Sequence, residues 1–182
     1  MKTEIKLGIS VLLIGLGVLA RVLPHLPNFA PVAAIAVFAG FYLGRRYALV
    51  LPIIAMLIGD LFIGFYDFKM MAAVYGSFVL VGYLASVFKS RKNTEVILGT
   101  SLVGSVTFFL VTNWAVWQFS GMYLKNWAGF LETYVMALPF FRNTFLGDVV
   151  YLAFIAGGYE LAVYLAGKFY RLKEIKKIAV PV

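Results

Sequence analysis

The stretch YALVLPIIAMLIGDLFIGF, residues 47–65, decides the fold class. It holds one charged side chain, Asp60, and a bilayer core of ~30 Å is crossed by about 20 mostly apolar residues of helix. Five further stretches read the same way: residues 7–23, 31–44, 70–88, 96–117 and 145–167. The stretch 31–44 is short, and its small residues let it pack tightly or tilt. Composition agrees. Of the 182 residues 63% are hydrophobic and 13% charged, against roughly 45–50% and about 25% in soluble domains. A soluble protein of this length cannot bury so much apolar surface, and a disordered chain would not contain it. The expectation is one all-α membrane domain over residues 1–182, a six-helix transmembrane bundle.

Lys2 and Lys6 ahead of an apolar run ending near Val18-Leu19-Ala20 also fit a secretory signal peptide. The segment is read here as a first transmembrane helix. Residues 121–141 are apolar but carry Lys125, Asn126 and Glu132, and are read as an interfacial or re-entrant segment between spans five and six. Charge supports this count. Six spans put Lys2, Lys6, Arg45, Arg46, Lys89 and Arg91 on one side, together with Lys92, Lys168, Arg171, Lys173, Lys176 and Lys177. The other side receives only Arg21, Lys69, Lys125 and Arg142. The positive-inside bias predicts a multi-pass protein of the cell (inner) membrane with both termini cytoplasmic. The net charge of +8 then reflects orientation, and no nucleic-acid partner is expected.

Ala36, Gly40 and Gly44 recur at every fourth position, as do Ala162 and Ala166. Such ladders let helix backbones approach within a membrane. They serve either internal packing or a partner subunit, and Ala36, Gly40 and Gly44 are the candidate partner interface.

Charged groups inside spans are costly, about 2.5–3.5 kcal/mol on insertion scales, so each needs a reason. Asp60 lies about 20 Å from the cytoplasmic edge of its span, and Asp148 ~9 Å below Arg142. Asn113 lies in the outer half of span five, with Trp117 one turn on. Arg21, His25 and Asn28 in and before the first loop, Tyr123 in the interfacial segment, and Asn143 at the start of span six join the same leaflet. These ten residues, walled by aromatic rings, describe an outward-facing pocket for a small molecule. Pro24 and Pro27 keep the first loop non-helical, as a lid requires. Plainer readings stand beside this one: tryptophans at a membrane interface, arginines snorkelling at span ends, aspartates tied to arginines within the bundle.

The chemistry narrows further. Zero cysteines and one histidine leave no metal-ligand set, and no phosphate-cradling glycine loop is present. Two membrane aspartates suggest an intramembrane aspartyl protease, but Leu57 and Phe145 stand where its signature has glycine before Gly59-Asp60 and Gly147-Asp148. No enzyme activity, cofactor or metal is expected.

Pro27-Asn28-Phe29-Ala30-Pro31-Val32-Ala33-Ala34, Gly59-Asp60, Thr112-Asn113-Trp114-Ala115-Val116-Trp117 and Leu138-Pro139-Phe140-Phe141-Arg142-Asn143-Thr144 resemble a family of small, uncharacterised bacterial transport proteins. That family resembles the substrate-binding S components of energy-coupling factor (ECF) vitamin transporters in size, six spans and the Asn-Phe-Ala-Pro start to span two. The resemblance implies capture of a vitamin-like micronutrient outside, with an ECF-type transmembrane scaffold and ATPases supplying energy. S components commonly carry an Ala-x-x-x-Ala face in span one, which this chain lacks; Ala30 and Ala34, or the span-two ladder, would stand in. The alternative function is a structural or interaction subunit of a larger membrane complex without transport activity.

Overall fold

The structure is a computed structural model describing the backbone of residues 2–178 and the side chains of residues 2–169. The chain is helical: α1 (Thr3–Val22), α2 (Val32–Phe38), α3 (Arg45–Ile63), α4 (Phe68–Val87), α5 (Thr94–Phe119) and α6 (Trp127–Ile178). A π-helical turn, Ala39–Leu43, extends α2, and a 3-10 turn, Phe88–Arg91, extends α4. Among the described residues five helices are long and apolar enough to cross a membrane, α2 with its π turn being the shorter exception.

Local signals set the ends. The side chains of Asp67 and Asn93 accept from the backbone N–H of Met70 (3.0 Å) and Val96 (2.8 Å), capping α4 and α5. The Asn126 side chain does the same for α6 through Gly129 N–H, at 2.9 Å. These oxygens satisfy donors that a helix start leaves orphaned. Gly44 and Gly64 end α2 and α3 at φ of 111° and 105°, a region that disfavours side chains.

Packing is organised around α2, whose seven residues are all buried. A helix apolar on every face belongs inside other helices. The remaining helices form an arc around it in the order α1, α3, α4, α5, α6. Between α1 and α6, at the ends of the arc, lies an apolar groove floored by Phe38.

Two parts of the sequence reading change. The Ala36-Gly40-Gly44 ladder is not a partner face. Ala36 is fully buried, and a Cβ on Gly40 would meet Ala85 Cβ at 2.5 Å and its backbone carbon at 2.9 Å. The small residues let α2 and α4 touch within this chain, and Gly44 supplies the turn. Gly82 does likewise where α4 crosses the Ala48 backbone.

The interfacial segment is the second change. From Trp127 onward it is the first part of α6, which continues through Pro139 without a break. Its partners show antiparallel packing on α5, Trp117 with Phe130, Phe109 with Phe141 and Ser105 with Asp148, continued just before α5 by Lys92 with Glu160. The part of α6 alongside α5 therefore begins some fifteen residues before the expected residue 145. Glu132 no longer argues against this, because it lies five residues into the helix, about 8 Å, and is exposed. Of the charge tally, the side chains of Arg171, Lys173, Lys176 and Lys177 lie outside the described residues.

Candidate functional site

Three loops meet at one end of the bundle: residues 23–31, 64–67 and 120–126. Beneath them lie two adjoining cavities, of about 380 Å³ and 290 Å³. Asn28, Val74, Phe108 and Thr144 border both. The larger is walled by α5 and α6, with Asn113, Thr112, Phe109, Phe140 and Phe141, and is roofed by Met122 and Tyr123. The smaller lies over α2, with Arg21, Met56, Tyr66, Phe78 and Asp148 around it.

The Gly59-Asp60 pair builds one wall. Arg21, in the last turn of α1, lies across α3 at Gly59, where a Cβ would stand 2.7 Å from its Nε. One residue on, Asp60 takes the guanidinium in an ion pair and accepts the Tyr75 hydroxyl at 2.6 Å. Asp60 is 1% exposed and does not itself border a cavity; it holds the arginine that does. The glycine makes room and the aspartate neutralises, which is why both are needed at consecutive positions. Arg21 Nε is left buried without a hydrogen-bond partner. In the 64–67 loop, burial pushes the Tyr66 hydroxyl up to about 12; the Asp60 charge adds to this and Arg21 opposes it. Tyr66 is therefore a neutral hydroxyl at the cavity's edge.

Asp148 is the second acid, 2% exposed on α6. Ser105 of α5 donates to its Oδ2 at 2.7 Å. No cation pairs with it among the described residues. The two aspartates thus have separate partners and share no hydrogen bond.

The roof is tied down at both sides. Asn143 Nδ2 donates to the Pro27 carbonyl at 3.1 Å, Asn28 turns the first loop at φ 62°, and Phe29 packs over Gly147. Tyr134 donates its hydroxyl to the Leu110 carbonyl at 2.9 Å. At the opposite end side chains pack together beside the α1–α6 groove. Lys92 pairs with Glu160 at 3.1 Å and stands 3.5 Å from the Tyr42 ring centroid, while Phe38, Tyr42 and Tyr159 form an aromatic cluster.

Of the ten residues singled out from sequence, Arg21, His25, Asn28, Asn113, Tyr123 and Asp148 border the cavities. Asp60 and Asn143 support them from behind. Trp117 and Arg142 do not belong. Trp117 turns toward the 120–126 loop, donating Nε1–H to the Leu124 carbonyl at 3.0 Å and packing edge-on against Phe130. Arg142 is exposed and borders neither cavity. Sequence reading missed Tyr75 and Ser105, and it set Thr144 beside Asn143 at the start of span six without counting it among the site residues. Ser105 and Thr144 are polar residues within spans, a usable signal, but hydroxyls that can bond back to their own helix carry little cost and little warning.

No curated protein and no solved structure matches the chain. A family-level match, described as a family of unknown function (DUF6580), extends over residues 1–172. Nearly the whole chain, including every residue of both cavities, falls inside that match, and the chain belongs to this family.

Proposed function

We propose that this protein is a membrane-embedded binding subunit for uptake of a small organic, vitamin-like micronutrient, captured from outside the cell in the paired cavities. One observation carries the reading: polar side chains from α1, α5 and α6, namely Arg21, Asn113, Thr144 and Asp148, line one loop-covered hollow, with Asp60 of α3 holding Arg21 from behind. Binding sites for small molecules have this character, an apolar concavity with a few placed polar groups. The charge bias puts the cavity end outside and both termini in the cytoplasm of the cell (inner) membrane. The resemblance to ECF S components supports a division of labour in which a separate scaffold and ATPases supply energy, because this chain has no nucleotide-binding loop of its own. Native mass spectrometry of protein purified without added ligand tests the proposal. A stoichiometric small molecule, lost on Asn113→Leu substitution, supports it. An empty protein that also takes up nothing from a cell extract overturns it.

The open groove between α1 and α6 favours a second reading, an interaction subunit that offers this face to another membrane protein. Co-purified membrane partners without any small ligand would select it.

A further inference from the structure

We infer that the smaller cavity is a site for a small organic cation, a protonated amine or a cationic heteroaromatic ring, held by Asp148. The inference rests on the binding-subunit reading and names the chemistry of its ligand.

Three observations lead to it. First, the two acids beside the cavity differ in their partners. Arg21 is answered by Asp60, whereas Asp148 has no cation among the described residues and one hydrogen bond, from Ser105. A carboxylate nine-tenths buried in a membrane bundle without a counter-ion is expensive. A cationic ligand removes that cost, whereas an anionic one adds to it. Second, Asp148 is among the residues that line this cavity, which Asp60 is not. Third, aromatic rings line the cavity. Phe78 and Phe108 stack at 5.0 Å between centroids and border the cavity together with Tyr66. Aromatic faces attract cations, most strongly when water is excluded. The volume, about 290 Å³, suits one ring with a short substituent.

The test uses three probes of one shape: 1-methylnicotinamide (a cation), nicotinamide (neutral) and nicotinate (an anion), titrated onto the purified full-length protein in detergent. The expected order is cation, then neutral, then anion. Asp148→Asn keeps the size and the acceptor for Ser105 but removes the charge. It should weaken cation binding by about 30-fold or more, the consequence of deleting one member of a buried charge pair, and leave nicotinamide within about 3-fold. If the variant does not fold, the order on the wild-type protein decides. Nicotinamide or nicotinate binding as tightly as the cation, a cation preference unchanged in Asp148→Asn, or no binding of any probe at millimolar concentration overturns the inference. A neutral or anionic compound found by native mass spectrometry would overturn this inference and leave the binding-subunit reading intact. A protein that is empty and takes up nothing from a cell extract overturns both.

Discussion

Removing Asp60 should do more damage than removing any other single charge in the bundle. Its carboxylate is 1% exposed and answers Arg21, whose side chain is 17% exposed. Asp60→Leu leaves a guanidinium held against Gly59 with no counter-ion, and breaking one side of such a buried pair costs about 3–5 kcal/mol. The Tyr75 hydroxyl loses its charged acceptor at the same time. At roughly 2–4 °C per kcal/mol for a chain of this size, thermal unfolding in detergent should fall by roughly 6–20 °C. Asp60→Asn keeps an acceptor for Tyr75 and should cost less, about 1–3 kcal/mol. The decisive variant is the double change Arg21→Met with Asp60→Leu. Replacing both partners by apolar residues of similar volume is often close to neutral, so the double variant should recover most of the loss. A double variant no more stable than Asp60→Leu alone, or an Asp60→Leu that unfolds within about 2 °C of wild type, would refute the reasoning.

Gly82→Ala forces a Cβ into the Ala48 backbone, which cannot move aside, and should cost about 1–3 kcal/mol or more. Gly158→Ala, with nothing within 4 Å, should leave the unfolding temperature unchanged or slightly raised; equal effects would contradict the close α3–α4 crossing. Trp117→Phe removes the bond to Leu124 and should speed proteolysis in the 120–126 loop while leaving ligand affinity within about 3-fold, since an exposed hydrogen bond contributes only about 1 kcal/mol. A large loss of affinity with an unaltered cleavage rate would return Trp117 to the cavity wall.

What could be read from sequence divides along physical lines. The apolar runs marked the helices because length and hydropathy are local properties, and α1, α3, α4 and α5 stand close to their expected bounds. The first turns of α6 were misjudged because Lys125, Glu132 and Pro139 look like breaks when the neighbouring helix is unknown. Packed along α5, they lie at the loop end or within a helix long enough to tolerate a proline. The Ala36-Gly40 ladder signalled close approach correctly but could not say to what, since Ala85 lies 45 residues further along the chain. Buried acids were legible for the converse reason: a charge in a span is so costly that it points to a site wherever the fold places it. Trp117 and Arg142 lie at the expected end of the bundle but line neither cavity, because depth follows from counting residues and facing does not.

A binding subunit of this kind requires an aqueous cavity at the end of the bundle opposite the termini. The chain has no cysteine, so single cysteines can be read without background in intact cells with a membrane-impermeant thiol reagent. Asn113→Cys, in the cavity wall, should label from outside, and Glu160→Cys, at the other end, only after the cells are opened. Labelling of Glu160→Cys in intact cells, or an Asn113→Cys that no impermeant reagent reaches from outside, would contradict it.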